Sequence, residues 1–172
     1  MRYVFWILLF APVVVHGQSR IDPWCIGDSI HLRWVDSNFE YQGIVPFSSH
    51  EGGASISDTA GNLLFYTNGR TVWDGNHEVV PGGTGLSDSA FYPYGSSVAQ
   101  SAMILPGFDS LGLSYYVFTH ESSLGDFGDI YCSEIRFDVA TGIASIDSST
   151  RLIPIFDSLY TQAMTAVRHA NG

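Results

Sequence analysis

Three adjacent histidine–glutamate pairs are the residues best suited to metal chemistry. They are His50-Glu51, His77-Glu78 and His120-Glu121. Imidazole nitrogens and carboxylate oxygens are common ligands of transition metals. Adjacent residues of a strand point to opposite faces, so one pair cannot readily chelate one ion. A metal site at His77 and Glu78 would need several loops to converge, and the alternative is hydrogen bonding at loops or strand ends.

A second candidate metal site is the segment "GDFGD", which carries Asp126 and Asp129. Carboxylate and backbone oxygens there could hold Ca²⁺. The segment lacks the dense alternating aspartates of a calcium loop, which favours a solvated turn between two strands. We therefore predict no cofactor, with Ca²⁺ as the alternative.

Aromatic residues in "AFYPYGSS" suggest ligand binding of another kind. Phe91, Tyr92 and Tyr94 lie beside Pro93 and Gly95, which make a strand there unfavourable. Exposed rings of this kind can stack on sugars or contact a partner protein. For Trp73 we expect core packing instead.

Catalytic motifs are missing from the sequence. There is no G-x-S-x-G elbow, and no S-x-x-K motif can exist because the chain has no lysine. "SDTAG", Ser57 to Gly61, resembles the Asp-box turn of sialidases only in part, because its aspartate is out of register and the tryptophan is missing. We predict no catalytic residue, and a carbohydrate-active enzyme is the alternative.

The first seventeen residues read as a secretory signal peptide. Arg2 precedes an apolar run from Tyr3 to Val15, and cleavage is expected after Gly17. Residues 18–172 then form one domain, and no later apolar stretch is long enough to cross a membrane. The formal net charge of −10 disfavours nucleic-acid binding. Export would allow a Cys25–Cys132 disulfide, with two unpaired thiols as the alternative.

Short alternating segments predict an all-β fold. "YYVFT" and "IYCSEIRF" are rich in aromatic and β-branched residues, and no window carries a helical apolar stripe. Asn68-Gly69 predicts a type I′ hairpin turn. We expect a meander with strands at Ala54–Ser57, Asn62–Thr67 and Arg70–Trp73, followed by a turn at Asp74-Gly75.

Repetition of the layout D-x-x-G-strand indicates propeller-like units. It begins at Asp58 and Asp109, with a looser copy at Asp138. Meanders of about four strands per ~40–50 residues are typical of propeller blades. The chain has length for about three blades, whereas propellers have about 4–8. We therefore expect a partial propeller, the N-terminal piece of a longer chain.

Several longer motifs resemble a known family. In order they are "WCIGDSIHLRW", "EGGASISDTAGNLLFYTNGRTVWDGNHEVVPGGTGL", "QSAMILPG", "YYVFT" and "TAVRHANG". They resemble the N-terminal, propeller-like region of large secreted Bacteroidota proteins, which often carry C-terminal domains associated with type IX secretion or gliding motility. The resemblance covers nearly the whole chain after the signal peptide. It implies a secreted propeller-like module and carries no catalytic residue with it.

Together these features predict a non-enzymatic module, secreted or on the outer cell surface, for adhesion, recognition or scaffolding. Its expected partner is an extracellular glycan or a cell-surface protein. The alternatives are a secreted glycosidase-like enzyme on a propeller scaffold and a spacer without a ligand.

Overall fold

Antiparallel β-sheet makes up the regular structure of the chain. The computed structural model describes residues 23–35, 37–49, 52–87, 100–107, 113–123, 126–138, 140–156 and 164–166, with backbone alone at 121–123, 126–127 and 156. Within these ranges there are twelve strands in three sheets, one short 3-10 turn and no α-helix. The predicted all-β fold of antiparallel meanders is confirmed.

Each sheet is built from strands that follow one another in the chain. The first contains β1 (Pro23–Ile26), β2 (Asp28–Val35) and β3 (Asn38–Ser48). The second contains β4 (Ala54–Ser57), β5 (Leu63–Thr67), β6 (Thr71–Asp74) and β7 (Val79–Thr84). The third contains β8 (Ala102–Pro106), β9 (Ser114–Ser123), β10 (Asp126–Phe137), β11 (Ala144–Ile146) and β12 (Ile153–Phe156), with the 3-10 turn at Ser148–Thr150. Both β11 and β12 pair with β10, at different positions along it.

The sheets stack in chain order, as neighbouring blades of a propeller do. Successive residues of β5 point to opposite faces, so Phe65 and Tyr66 fill different apolar clusters. The cluster between the first and second sheets contains Cys25, Val45, Phe47, Tyr66 and Trp73. The cluster between the second and third sheets contains Ile56, Phe65, Val72, Val80, Leu86, Ile104, Tyr115, Val117, Ile135, Ala144 and Ile146. The middle sheet is therefore covered on both faces, and Trp73 packs in the core as predicted.

Aspartates head three of the turns between strands. Asp58 Oδ1 accepts hydrogen bonds from the backbone N–H groups of Ala60 and Asn62, at 2.8 and 2.9 Å. Asp74 and Asp138 bond the backbone two to four residues ahead in the same way. Each turn places one residue at positive φ, namely Gly61 (83°), His77 (69°) and Gly142 (68°). The predicted turn at Asp74-Gly75 exists, but His77 takes the left-handed conformation there.

The hairpin around Asn68 and Gly69 exists, but the predicted two-residue type I′ turn is wrong. Thr67 pairs with Val72, so four residues connect the paired positions. Gly69 has φ 84°, and Asn68 is not among the described residues with positive φ. Instead Asn68 Oδ1 accepts the N–H groups of Arg70 and Thr71, at 3.0 and 2.9 Å. An asparagine side chain that bonds its own loop makes a wider turn favourable.

Candidate functional site

The side of the first sheet that faces away from the middle sheet is apolar and exposed. We call it the outer aromatic face, and its members are Trp24, Ile26, Ile30, Leu32, Trp34, Phe39, Tyr41 and Ile44. Large apolar side chains are exposed singly on most proteins, but a contiguous patch marks a binding surface. This face is therefore the main candidate site among the described residues.

Strand alternation and register bring these residues together. Apolar residues occupy every second position of β2, at Ile30, Leu32 and Trp34, and therefore share one face. Antiparallel pairing then sets Leu32 between Trp24 on β1 and Tyr41 on β3. The register of β3 shifts between Tyr41 and Gly43, a bulge that keeps both Tyr41 and Ile44 on this face.

Aromatic rings pack against one another on this face and remain open to solvent. Phe39 lies between Trp24 and Trp34, with ring centroids 5.2 and 4.6 Å away. Trp34 is 46 % exposed, Tyr41 61 % and Ile44 77 %. The contacts fix the rings as a platform, while the exposure leaves their surfaces available to a ligand.

The opposite side of the first sheet meets the middle sheet in a cluster of polar aromatic groups. His31 on β2 and His77 in the β6–β7 turn have ring centroids 6.0 Å apart at an interplanar angle of 80°. Tyr66 Oη lies 3.2 Å from Nδ1 of His77. Trp73 stacks on Tyr66, with ring centroids 5.3 Å apart. Two imidazoles from different sheets thus converge beside a buried phenol.

Burial and neighbouring positive charge tune this cluster. Burial, then His77 and Arg33, lower the pKa of His31 below its ordinary value. Burial is also the main reason why the pKa of Tyr66 is raised. The phenol therefore stays protonated and His31 favours its neutral form near neutral pH.

The two candidate metal sites, His77 with Glu78 and Asp126 with Asp129, stay predictions. Glu78 is exposed and follows His77, which contacts Tyr66 and His31 instead. Asp129 accepts a hydrogen bond from the Tyr131 hydroxyl at 3.3 Å. Asp126 begins β10, and its side chain lies outside the described part. Within the described residues, no group of three or more His, Cys, Asp or Glu side chains is arranged to hold a metal ion.

Strand β10 changes the interpretation of "GDFGD". The sequence favours a turn there, but Asp126 and Phe127 pair with Ser123 and Ser122 of β9. The register shifts before Ile130, so the irregularity is a bulge within a long hairpin. The strands extend beyond "YYVFT" and "IYCSEIRF", and binding of Ca²⁺ at this bulge stays a prediction.

Other predicted site residues have separate outcomes. Phe91, Tyr92 and Tyr94 lie outside the described residues, as do His50-Glu51 and the predicted signal peptide.

Cys25 is buried on β1 and Cys132 half-buried on β10, and both are free thiols in this structure. Burial raises the pKa of Cys25 to about 12 and that of Cys132 to about 11. Both thiols are therefore protonated at neutral pH.

An open cleft of about 540 Å³ lies beside the β6–β7 turn. Asp74, Glu78, Phe137 and Ile143 are among its lining residues. Oδ1 of Asp74 accepts the backbone N–H groups of Asn76 and Glu78, at 2.8 and 3.0 Å. Asp74 therefore has a structural role in the turn that lines the cleft.

Sequence reasoning missed the outer aromatic face as a site. The alternation of Ile30, Leu32 and Trp34 predicted a strand with one apolar face, and such a face is normally core. The sequence nevertheless indicates this face, because β1 and β3 repeat the apolar alternation of β2. The positions in between also carry apolar residues, namely Cys25, Val45 and Phe47, so both faces of the first sheet are apolar. A sheet with two apolar faces is either sandwiched or presents one of them to a partner.

Comparisons with known proteins give no match: no protein-family model, no curated protein and no solved structure matches this chain. The resemblance to secreted Bacteroidota proteins therefore stays a prediction. The structure contains no helix long and apolar enough to span a membrane within its described residues.

Proposed function

We propose that the protein is a non-enzymatic recognition module, secreted or displayed on the outer cell surface, that binds neutral carbohydrate on its outer aromatic face. The single observation that carries the proposal is the exposed platform of Trp34, Phe39 and Tyr41. Aromatic side chains offer large rigid surfaces, and tyrosine and tryptophan add a polar group at the edge. Such rings suit the alternating C–H and hydroxyl surfaces of a sugar.

The charge distribution favours a neutral ligand. All eight members of the outer aromatic face are uncharged. Arg33 of β2 and Glu40 of β3 occupy positions that alternate with these members along the strands, and the two residues lie opposite each other in register. The whole chain has a formal net charge of −10, which repels anionic polymers. A neutral oligosaccharide would avoid both this repulsion and the desolvation of unpaired charges.

A glycan array combined with a hydrolase screen tests this proposal on the full chain. We expect neutral glycans to bind, anionic glycans to bind weakly, and no glycoside to be hydrolysed. Turnover that a single carboxylate substitution abolishes would favour the glycosidase alternative. Absence of glycan binding together with concentration-dependent self-association would favour a scaffold whose outer face packs on another sheet.

Export is a separate part of the proposal. The apolar run from Tyr3 to Val15 supports it, and cleavage is expected before Gln18. Expression of the full chain in a Gram-negative host should release protein whose N-terminal residue is Gln18. Retention of Met1 in the cytoplasmic fraction would contradict export without affecting the carbohydrate-binding proposal.

A further inference from the structure

His31 and His77 are at a separation that suits a shared metal ion. Their ring centroids are 6.0 Å apart. An imidazole nitrogen binds such an ion at about 2.0–2.1 Å, which places two ring centres that share one ion roughly 4.5–6.5 Å apart for ligand angles between about 90° and 180°. Both side chains are half-buried rather than enclosed, so an ion can reach them from solvent.

Tyr66 supplies the support that a metal-binding histidine usually has. Its Oη atom lies 3.2 Å from Nδ1 of His77, and its side chain is fully buried. Ligating histidines commonly donate their second ring N–H to an oxygen, which fixes the tautomer and the ring orientation. With Nδ1–H donating to Tyr66, Nε2 of His77 is the nitrogen that binds the ion.

The backbone of His77 gives an independent observation. Its φ of 69° is in the left-handed region, and Gly61 occupies the corresponding position of the Asp58 turn, three residues after the aspartate. Glycine has no steric penalty in this conformation, whereas a residue with a Cβ atom does. An unfavourable backbone conformation at a residue whose side chain joins a cluster points to a role for that side chain.

Charges around the pair are compatible with a divalent ion only when the imidazoles are neutral. Neutral imidazole is the form that binds metals. Arg33 opposes an additional positive charge and limits the affinity. Cys25 lies opposite His31 in register, but the described residues hold no group of three ligand-type side chains arranged around one ion.

We propose that His31 and His77 form a two-imidazole site for a late first-row transition-metal ion, Cu²⁺ in preference to Ni²⁺ or Zn²⁺. Water completes the coordination, because the described residues offer no third side chain of the usual ligand types in a suitable arrangement. The order of affinity follows the general preference of nitrogen ligands for these ions. The proposal is independent of carbohydrate binding, since the two sites lie on opposite faces of the first sheet.

Calorimetric titration of the full chain with CuCl₂, NiCl₂ and MgCl₂ tests the site. We expect Cu²⁺ to bind more tightly than Ni²⁺ and Mg²⁺ not to bind. His31→Gln and His77→Gly should each weaken the tightest Cu²⁺ site at least about tenfold, because each removes one of its two protein ligands. His120→Gln is the matched control, since it removes an imidazole of β9 in the third sheet, outside the pair, and its affinity should equal that of the wild type.

Electron paramagnetic resonance of the Cu²⁺ complex gives a readout that does not depend on the variants folding. Nitrogen hyperfine structure from two imidazoles is expected in the wild-type protein. Failure of the wild-type protein to bind Cu²⁺, or unchanged affinity in both variants, would overturn the proposal. A spectrum with one nitrogen ligand would overturn it equally.

Discussion

The rings of Trp34 and Phe39 pack edge to face, with centroids 4.6 Å apart and an interplanar angle of 75°. The register of β2 and β3 places these two residues directly opposite each other. Both nevertheless remain about half exposed. The pair therefore orders a surface rather than filling a core, and this distinction can be measured.

Truncation of Trp34 should destabilise the fold much less than truncation of Trp73. Trp73 is 8 % exposed and packs against Tyr66 and Phe47, so Trp73→Ala should lower the free energy of unfolding by about 3–5 kcal/mol. Trp34→Ala removes an exposed aromatic pair and should lower it by about 0.5–1.5 kcal/mol. Urea unfolding measures both values. Equal losses would mean that the outer aromatic face belongs to the folding core.

Gly82 allows the second and third sheets to approach closely. A Cβ atom at this position would overlap the Ile146 carbonyl oxygen, and φ is 77°. Gly82→Ala should therefore lower the free energy of unfolding by about 2–4 kcal/mol, from backbone strain and steric overlap together.

Gly142 provides the matched control for Gly82. Its φ is 68°, but a Cβ atom there would meet nothing within 4 Å. Gly142→Ala should lower the free energy of unfolding by only about 1–2 kcal/mol, from strain alone. Thermal or urea unfolding measures both variants, and the difference between their losses of stability reports the contact between the second and third sheets at Gly82. Equal losses of stability would argue against this contact.

Because the backbone of His77 is left-handed, a glycine variant should be more stable than an alanine variant at this position, the reverse of the usual order. His77→Gly and His77→Ala both remove the imidazole, so their difference reports the backbone at φ 69°. The glycine variant should be the more stable by about 1 kcal/mol. At Asn76, where φ is not positive, alanine should be the more stable by about 0.4–1 kcal/mol. The same order at both positions would contradict the assigned conformation of the turn.

Acid should weaken the turn headed by Asp138. The Thr141 backbone N–H and hydroxyl, then the Ala140 N–H, hold the pKa of Asp138 below its ordinary value of 3.8. The unfolded chain therefore binds this proton more readily, so the stabilisation is complete above the ordinary pKa and is lost as the pH falls through the folded-state value.

Asp138→Asn keeps an oxygen acceptor in the turn but does not titrate. Between about pH 6 and about pH 2.5, urea unfolding should therefore show a smaller loss of stability in this variant than in the wild type. Asp58 is unchanged in both proteins, so its own lowered pKa cancels in the comparison. Identical pH profiles would exclude a contribution from Asp138.

Local patterns were sufficient to predict much of the fold. The meander through β4, β5 and β6 was located within one residue at each end, because alternation and turn residues act over a few positions. Turn geometry at Asn68 was not predictable in the same way, since it depends on which backbone groups the side chain bonds. Left-handed φ at His77 was missed because Gly75, two residues earlier, is the more obvious residue for that conformation.

Residues that are distant in the chain account for the unpredicted parts of both candidate sites. His31 and His77 meet only because the first two sheets stack, and no local pattern encodes that packing. Alternation placed Ile30, Leu32 and Trp34 on one face, but it could not tell which face of the sheet would be covered. The exposure of Tyr41 follows from the tertiary structure alone.

Titration of the full chain with a neutral oligosaccharide selected on the array is the most direct test of the proposed function. Tyr41 is 61 % exposed, so Tyr41→Ala should preserve the fold while removing a stacking surface, and Tyr41→Phe should retain that surface. We expect Tyr41→Ala to weaken binding at least about tenfold, a difference of about 1.4 kcal/mol, and Tyr41→Phe to bind within about threefold of the wild type. Binding that is unchanged in Tyr41→Ala, or a wild-type protein that binds no neutral glycan, would contradict the assignment of the outer aromatic face as a carbohydrate-binding surface.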